Sequence, residues 1–371
     1  MAVPLSNIAI IGAGLAGASL ASRLSKAGVE VLLFHSGTVE KHCGGGLPAR
    51  ALNELAWLNE LISPRKEIRR ITLISPSGIP HDLELTNPMI IVARAEFDER
   101  LRRRAMRSGA RLLSERVRSL QRDGYRWKIR TDRSEYDAAF IIGADGATSL
   151  VRRTLSERFP PSSLSLCAGY YVPPPDEKRI VIGFTKRRAA YSWIFPRQGL
   201  ASAGGVAPLA GSSQNALLGE LRAWLDGSFP GFKFDYSRPY SALISTYPSR
   251  RGTLCGDGWA LIGDAAGVAD PITREGIYFS IKSAEILASA YLSGHPEGYE
   301  KKLASFLTRR QGAASLLNRY LFTPFFTERV VRRARKNGYA GRAMENYFSG
   351  SLDYGRLGRE IISSLIKGKR G

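Results

Sequence analysis

A glycine-rich turn near the start of the chain constrains the fold more than any other feature. Residues 7–11 form an apolar run of strand length, residues 18–27 have the composition of a small-residue helix, and residues 29–34 form a second apolar run. The turn before the helix follows the pattern Gly-x-Gly-x-x-Gly, and its residues are Gly12, Ala13, Gly14, Leu15, Ala16 and Gly17. A strand, this turn, a helix and a second strand within about thirty residues are the context that a dinucleotide-binding turn needs.

The three glycines of this turn have separate roles in binding a dinucleotide. Gly12 permits the tight turn, Gly14 lets the backbone approach a pyrophosphate at the helix N-terminus, and Gly17 allows close packing of helix on strand. An Asp or Glu normally ends the second strand and binds the ribose, but His35 stands there. Because an imidazole also hydrogen-bonds a hydroxyl group, we predict that His35 contacts the ribose. A glycine turn without a ligand is the alternative reading.

Two later segments, 140–147 and 258–267, are apolar runs that end in turns containing an aspartate. Their turn residues are Asp145, Gly146, Gly263 and Asp264. A long helix follows, which we expect to begin near Gly276 and Ile277 and to end at about Leu292. Either turn alone would be an ordinary connection.

Together, in this order and spacing, the three segments resemble the flavoprotein group that includes aromatic hydroxylases, halogenases and geranylgeranyl reductases. The resemblance covers roughly residues 7–290 and implies FAD as the cofactor. It implies that Asp145 lies beside the FAD and that Asp264 binds its ribityl or pyrophosphate portion. It also implies that Gly276 and Ile277 present helix N–H groups to the pyrimidine end of the flavin, where the helix dipole stabilises negative charge.

The segment 91–101 also resembles the part of this group that begins a helix near the cofactor. The resemblance implies that Arg94 contacts FAD, whereas a solvated arginine is the alternative. With the loop at Cys43 described next, the predicted FAD-binding residues are Gly12, Gly14, Leu15, Ala16, Gly17, His35, Cys43, Gly44, Gly45, Arg94, Asp145, Gly146, Gly263, Asp264, Gly276 and Ile277.

Two features indicate which branch of the group the chain resembles. Hydroxylases usually follow Gly-Asp with Ala-Ala-His and later carry Gly-Gln-Gly, but here Gly267 replaces the histidine and residues 274–276 read Arg-Glu-Gly. The segment 41–48 resembles the Cys-Gly-Gly segment of the geranylgeranyl reductases, which implies that Cys43 faces the reaction chamber. There the thiol would donate a proton or shape the pocket. A flexible loop with an incidental cysteine is the alternative.

An aromatic segment favours the same branch. Tyr191, Trp193 and Phe195 alternate along a predicted strand, so their rings would lie on one face of it. The segment resembles the Tyr-x-Trp-x-Phe-Pro of the geranylgeranyl reductases, whereas halogenases carry a related Trp-x-Trp-x-Ile-Pro. We predict Cys43, Tyr191 and Trp193 as catalytic residues, with an ordinary aromatic sheet core as the alternative for the two rings.

The predicted fold class is α/β. We expect a single-nucleotide-fold, Rossmann-like FAD-binding domain over residues 1–75, 90–155 and 250–295. An antiparallel β-sheet substrate domain would be interleaved with it, over residues 76–89 and 156–249. A basic helical C-terminal region would cover residues 296–371.

Charge and cysteine content predict the surroundings of the protein. Lys and Arg number 54 against 33 Asp and Glu, and residues 301–371 alone hold 16 against 4. A basic, partly aromatic helical tail predicts contact with an anionic membrane surface, although a helical lid with solvated charges is the alternative. We expect no nucleic acid, because no nucleic-acid module occurs, and no metal site. The sequence contains only three cysteines, and we find in it neither a signal peptide nor a transmembrane run, so we expect a cytoplasmic protein. If the basic tail binds the membrane, the protein would be peripheral at its cytoplasmic face.

The resemblance implies a reductase that hydrogenates the C=C bonds of a geranylgeranyl group on a lipid, quinone or chlorin. Reduced FAD would deliver a hydride from N5, and NADPH or reduced ferredoxin would supply the electrons. The alternatives are an FAD-dependent monooxygenase (hydroxylase-like) or halogenase acting on a small aromatic or hydrophobic substrate, and a flavin-binding protein without enzymatic activity. The sequence predicts neither the exact substrate, the electron donor nor the oligomeric state.

Overall fold

A computed structural model describes residues 7–37, 41–62, 65–187, 189–197, 199–246, 252–321, 323–336, 338–350 and 354–367. The chain forms two compact units, each assembled from three segments. Unit 1 comprises residues 1–41, 94–164 and 243–309, and unit 2 comprises residues 42–93, 165–242 and 310–371.

The strands and helices are numbered in chain order. The strands are β1 (Ile8–Ile11), β2 (Val31–Phe34), β3 (Gly46–Pro48), β4 (Lys66–Ile74), β5 (Pro80–Ile91), β6 (Arg111–Leu113), β7 (Val117–Asp123), β8 (Arg126–Thr131), β9 (Glu135–Ala138), β10 (Phe140–Gly143), β11 (Leu164–Val172), β12 (Arg179–Phe184), β13 (Tyr191–Pro196), β14 (Ala201–Pro208), β15 (Pro239–Ser245), β16 (Cys255–Gly256) and β17 (Trp259–Leu261). The α-helices are α1 (Leu15–Lys26), α2 (Ala49–Glu54), α3 (Leu58–Leu61), α4 (Arg94–Arg107), α5 (Leu150–Leu155), α6 (Gln214–Ser228), α7 (Ile277–Leu292), α8 (Tyr299–Leu321), α9 (Pro324–Lys336), α10 (Gly338–Phe348) and α11 (Tyr354–Lys367).

Unit 1 contains a six-stranded sheet in the order β16-β17-β10-β1-β2-β6. Strand β1 pairs in parallel with both β2 and β10, and β17 continues the sheet in parallel beyond β10. Strands β1, β2 and β10 are buried along their whole length, as apolar strands inside a parallel sheet are. Helix α1 packs against α4 and α7, and six of its ten buried residues are Ala or Ser. A small antiparallel sheet, β7-β8-β9, completes this unit.

Unit 2 contains an eight-stranded sheet in the order β15-β11-β14-β13-β12-β4-β5-β3. Strands β11 to β14 form antiparallel pairs, as predicted for the strand-rich middle of the chain. Helix α6 was not predicted there. Its four buried leucines recur at helical spacing and cover β14, and they are Leu217, Leu218, Leu221 and Leu225.

The two units divide the chain at different points from the predicted domains. Residues 42–75, predicted as part of the FAD-binding domain, belong to unit 2 because β4 pairs with β5 on one side and in parallel with β12 on the other. The C-terminal region was predicted as residues 296–371. Of these, residues 310–371 belong to unit 2, because α9 and α10 pack against β5.

The α/β fold class and the helical C-terminal region agree with the prediction, and helix α7 ends at the predicted Leu292. None of the helices in the described part of the chain is both long and apolar enough to cross a membrane.

Candidate functional site

The glycine turn between β1 and α1 leaves open space at one glycine only. A methyl group added to Gly12, which has a φ of 107°, would lie 2.4 Å from the carbonyl oxygen of Ala144. At Gly17 it would lie 1.9 Å from the carbonyl oxygen of Gly12. At Gly14, the residue that precedes α1, it would meet nothing within 4 Å. Gly12 and Gly17 therefore serve the packing of the turn, and Gly14 borders the space at the helix N-terminus where an anion would bind.

Asp145 follows β10 and has one carboxylate oxygen in use. Its Oδ2 accepts hydrogen bonds from the backbone N–H of Leu150 at 2.6 Å and of Val151 at 3.4 Å, at the start of α5. Its Oδ1 is buried and has no hydrogen-bond partner among the described residues. Burial raises the pKa of Asp145, although hydrogen bonds from Ser149 and the α5 backbone act against the increase. A buried acceptor without a donor fits a ligand hydroxyl group, such as a ribityl hydroxyl.

Asp264 is buried between β17 and α7 and forms an ion pair with Lys41 Nζ. Its backbone carbonyl oxygen accepts a hydrogen bond from Ser245 Oγ. A methyl group on Gly276 would lie 3.5 Å from Asp264 Oδ1, so the carboxylate lies beside the residue at which α7 begins. Gly263, just before the aspartate, donates its N–H to Ser283 Oγ on α7 at 2.9 Å. The structure thus brings the predicted residues at 263–264 and 276–277 together.

The loop before α7 is held by its own hydrogen bonds. Asp270 Oδ1 accepts from the backbone N–H of Ile272 and of Thr273, each at 2.8 Å. Arg274 adopts a left-handed backbone conformation with a φ of 58°, which is unfavourable for a residue with a side chain. This geometry sets the direction in which α7 begins.

Arg152 connects two of the predicted cofactor segments, and sequence reasoning assigned it no role. It is buried, its Nη1 donates to the carbonyl oxygen of Ala265 at 3.1 Å, and its Nε donates to that of Glu157 at 2.8 Å. The guanidinium lies 3.8 Å from the ring centre of Phe159. Burial lowers the pKa of Arg152 to about 10, so the group stays charged at neutral pH. Arg152 therefore ties the helix after Asp145 to the loop that carries Asp264.

Two predicted cofactor contacts have protein partners of their own. Arg94 is buried and donates from Nε and Nη2 to the two carboxylate oxygens of Asp98, each at 2.9 Å. His35 follows β2 and donates its backbone N–H to the carbonyl oxygen of Leu113. Burial, and the charge of Arg102, lower the pKa of His35, which leaves the imidazole neutral at pH 7. A neutral imidazole both donates and accepts, as a ribose hydroxyl requires.

The Cys43 loop in unit 2 packs on an aromatic ring of the same unit. A methyl group on Gly44 would lie 3.2 Å from the ring of Phe195, and one on Gly46 would lie 2.6 Å from it. Gly45 has a φ of 80°, and a methyl group there would lie 2.1 Å from the carbonyl oxygen of Val92. The loop therefore has no room for a side chain at Gly45 or Gly46, and little room at Gly44, where it passes beside Phe195 and Val92. Cys43 Sγ accepts a hydrogen bond from the Gly45 N–H at 3.3 Å.

A cluster of rings surrounds the residue before Cys43, and we name it the His42 cluster. The His42 ring stacks on Tyr240 with 4.8 Å between ring centres, and its Nδ1 lies 3.4 Å from the hydroxyl oxygen of Tyr171. The Tyr171 and Tyr240 rings are 5.1 Å apart, and the guanidinium of Arg197 lies 5.0 Å from the Tyr171 ring. Arg197 also donates to the carbonyl oxygen of Cys43. The sequence analysis did not predict this cluster. The only feature of the sequence that indicated it is the position of His42 next to Cys43.

The predicted catalytic aromatics lie on β13, with their ring centres 5.9 Å apart. Trp193 is buried, its Nε1 donates to Ser202 Oγ at 3.3 Å, and a methyl group on Gly204 would lie 2.3 Å from its ring. This is the packing of a sheet core, which was the alternative reading for Trp193. Tyr191 is half-buried. Catalytic roles for Tyr191, Trp193 and Cys43 stay predictions.

The residues of unit 1 fit FAD. Space is open beside Gly14 and also beside Gly146, which has a φ of 84°. The orphaned Oδ1 of Asp145 and the neutral ring of His35 are suited to hydroxyl groups, and the start of α1 is suited to a pyrophosphate. In the described residues, His, Cys, Asp and Glu side chains form no group that could hold a metal ion.

Comparisons with known proteins agree with this fit. Residues 6–169 match the FAD binding domain family. The chain is 28% identical over 327 residues to a geranylgeranyl diphosphate reductase of Rhodobacter capsulatus, covering 80% of this chain and 79% of the relative. It is 29% identical over 332 residues to digeranylgeranylglycerophospholipid reductase 1 of Methanopyrus kandleri, covering 82% and 84%. It is also 28% identical to a menaquinone reductase of Mycobacterium tuberculosis, covering 76% of each chain.

Solved structures share the fold at lower sequence identity. A geranylgeranyl bacteriochlorophyll reductase-like protein from Thermoplasma acidophilum has a TM-score of 0.72 and 19% identity, with 97% of this chain and 95% of that chain covered. The flavin-dependent brominase Bmp2 has a TM-score of 0.73 and 19% identity, with 98% and 99% covered. At these identities the likeness establishes the fold alone.

The protein is an FAD-dependent oxidoreductase, as predicted. Within that class, its resemblance to the geranylgeranyl reductases is confirmed by the relatives named above.

Proposed function

We propose that the protein reduces C=C bonds of a geranylgeranyl group carried by a lipid, quinone or chlorin. The observation that carries this proposal is the contact of Gly44 and Gly46 with the ring of Phe195. It joins in one structural unit the two segments that resemble geranylgeranyl reductases, the Cys-Gly-Gly loop and the Tyr-x-Trp-x-Phe-Pro strand. The curated names of the relatives support the same substrate class.

The reduction of an alkene needs a hydride for one carbon and a proton for the other. Reduced FAD, when bound, supplies the hydride from N5. We assign the proton to the Cys43 thiol, and solvent restores it after each turnover. Gly45 N–H stabilises the thiolate that the transfer leaves, because it already donates to Cys43 Sγ at 3.3 Å. Arg197 fixes the loop by its hydrogen bond to the Cys43 carbonyl oxygen.

An unactivated alkene is a poor hydride acceptor, so placement and the exclusion of water must contribute much of the rate. The rings of the His42 cluster and of Tyr191 present apolar surface that suits an isoprenoid chain. We propose that NADPH or reduced ferredoxin supplies the electrons. Anaerobic mixing of the FAD-loaded enzyme with each donor in turn tests this, since only the true donor bleaches the oxidised flavin absorbance at a rate above turnover.

A second candidate function is oxygen-dependent, either hydroxylation or halogenation. The fold of the brominase Bmp2, with a TM-score of 0.73, favours it. Two departures count against it. Hydroxylases carry a histidine where this chain has Gly267, and halogenases carry Trp and Ile where it has Tyr191 and Phe195.

An anaerobic experiment distinguishes the two functions. The bound flavin is reduced without oxygen, and a panel of geranylgeranyl lipids and alcohols is added, with fully saturated phytanyl analogues as the matched control. We expect the oxidised flavin absorbance to return with at least one unsaturated compound and with none of the saturated ones. A flavin that stays reduced with every compound until oxygen enters would contradict the reductase and favour the oxygen-dependent function.

A Cys43→Ser variant tests the proposed proton donor. We expect normal FAD binding, normal reduction of the flavin and reoxidation by the alkene that is slower by about 10²-fold or more, the usual size of general acid catalysis. Serine keeps nearly the size of the side chain but not the thiol. If the thiol proton alone matters, we expect Cys43→Ala to slow reoxidation by the same factor. Reoxidation at the wild-type rate in both variants would assign the proton to another group.

A further inference from the structure

One helix of unit 2 exposes an aromatic ring among cations. Phe325, at the start of α9, is 73% exposed, and Arg329, Arg332 and Lys336 follow it on the same side of the helix at spacings of four, seven and eleven residues. We call these four residues the α9 outer face. The opposite side is buried against β5 and α10, and its residues are Thr327, Val330, Val331 and Ala334.

The buried side fixes the direction of the α9 outer face. Glu328 strengthens this attachment, because its carboxylate accepts hydrogen bonds from the N–H and the Oγ of Ser77 in the β4–β5 turn, at 3.0 and 2.7 Å. These contacts fix the orientation of α9 on unit 2 without any bound partner, and they leave the Phe325 ring exposed to solvent.

The charge of α9 is strongly positive and only partly compensated. The helix carries five cations and one carboxylate, and the cations are Arg329, Arg332, Arg333, Arg335 and Lys336. Glu328 pairs with Arg332. Neither Arg329 nor Lys336 forms an ion pair with a described residue, and the Arg329 guanidinium lies 5.5 Å from the Phe325 ring. The face therefore offers a partner one exposed aromatic ring and at least two positive charges that no described carboxylate pairs with.

A partner that fits both features is negatively charged at its surface and apolar just beneath it. An anionic phospholipid bilayer has this layered chemistry: the headgroups attract the cations, and the boundary with the acyl chains accepts the ring. A nucleic acid would satisfy the cations and stack on the ring, but the α9 outer face offers it a single exposed aromatic ring, Phe325. We propose that the α9 outer face docks the protein on an anionic phospholipid bilayer. The free cysteines fit the cytoplasmic side of such a membrane.

Docking is measured without turnover, so its failure is separable from failure of the proposed reductase function. The full FAD-loaded chain is sedimented with phosphatidylcholine vesicles that do or do not contain phosphatidylglycerol. We expect binding only to the anionic vesicles, and weaker binding as NaCl is raised from 0.1 M to 0.5 M, because the Debye length falls from about 10 Å to below 5 Å.

Two variants test the face itself. Phe325→Ser is expected to weaken binding about tenfold, since the variant loses burial of one aromatic ring. The double variant Arg329→Gln with Lys336→Gln is expected to weaken vesicle binding about 25-fold, because each cation near the membrane surface contributes roughly a factor of five. All three side chains are exposed, so the melting temperature should not change.

Unit 1 supplies a matched control for each variant. Tyr125 is 78% exposed in the β7–β8 turn, and Tyr125→Ser removes an equally exposed ring. Lys26→Gln with Arg107→Gln removes two exposed cations, from α1 and α4, that form no ion pair with a described residue, and it lowers the net charge by the same amount. Both controls are expected to bind vesicles as the wild type does.

Three results would overturn the proposal. The first is equal binding to neutral and anionic vesicles, and the second is wild-type binding by both α9 variants. The third is a loss of vesicle binding in the unit 1 controls of the same size as in the α9 variants. A single-stranded oligonucleotide is tested in parallel. Tighter binding to it than to vesicles, lost in the same α9 variants, would replace the bilayer with nucleic acid as the partner.

Discussion

At Gly17 an added methyl group would lie 1.9 Å from a backbone oxygen, whereas at Gly14 it would contact nothing. We therefore predict that Gly17→Ala destabilises the protein by about 1–3 kcal/mol or more, the usual effect of overpacking. Gly14→Ala should change stability by less than about 1 kcal/mol but raise the Kd for FAD at least about tenfold, because the methyl group occupies the space assigned to the pyrophosphate. Thermal unfolding of the apoprotein and fluorescence titration with FAD measure the two effects.

These two variants are controls for one another. Equal loss of stability in both would mean that Gly14 serves packing, and unchanged FAD affinity in Gly14→Ala would remove the pyrophosphate from the N-terminus of α1.

A second prediction at this scale concerns Arg152, which donates to the carbonyl oxygens of Ala265 and Glu157. Arg152→Leu leaves the buried carbonyl oxygen of Ala265 and the partly buried one of Glu157 without that donor, so we expect a loss of about 2–4 kcal/mol in the free energy of unfolding. FAD affinity should fall as well, because the loop carrying Asp264 loses its attachment to α5. Urea unfolding and FAD titration measure these effects. Stability equal to that of the wild type would show that water replaces the guanidinium.

At the scale of elements, the Cys43 loop and β13 depend on each other. Gly46→Ala would bring a methyl group to 2.6 Å from the Phe195 ring, whereas Phe195→Leu removes part of that ring. We predict that Gly46→Ala is destabilising alone and less so in the Phe195→Leu background, with a coupling energy of about 1–2 kcal/mol. A double-mutant cycle by chemical denaturation measures it.

Gly45 provides the control for this cycle. Its obstacles are the Val92 backbone and a φ of 80°, which a change at Phe195 does not relieve. Gly45→Ala should therefore show no coupling to Phe195→Leu, and additivity at Gly46 as well would contradict the proposed contact.

The attachment of α9 to the β4–β5 turn should depend on pH. Burial of Glu328 opposes its ionisation, but hydrogen bonds from Ser77, Ser75 and Arg332 outweigh it and lower the pKa to about 2, from an ordinary value of 4.5. A depressed carboxyl pKa stabilises the fold above pH 4.5, and this contribution is lost as the pH falls from 4.5 towards 2. We predict that wild type and Glu328→Gln differ in unfolding free energy above pH 4.5 and converge near pH 2. Parallel curves over the whole range would contradict it.

On the scale of the whole molecule, the features that could be predicted from sequence are local ones. Glycine spacing and apolar runs within about thirty residues are enough to predict three of them: the β1–α1 turn, the strand at 140–143 and the helix ending at Leu292. The same holds for the antiparallel strands between residues 164 and 208.

The remaining features depend on partners far along the chain. Strand β4 joins unit 2 because it pairs with β12, more than a hundred residues later, and its own sequence does not specify that partner. Phe195 meets Gly46 across a similar separation. The buried Arg152 could not be told from the solvated arginines around it, because only tertiary packing decides which arginine is enclosed.

The product mass of a single anaerobic turnover tests the central claim most directly. The FAD-loaded enzyme is reduced and then mixed, without oxygen, with one equivalent of a geranylgeranyl lipid. The lipid is extracted afterwards, and its mass is measured by mass spectrometry. We predict that the lipid gains two hydrogen atoms for each flavin reoxidised, with no oxygen or halogen incorporated. Lipid of unchanged mass, together with an oxygenated or halogenated product formed only after oxygen and halide are admitted, would contradict the account.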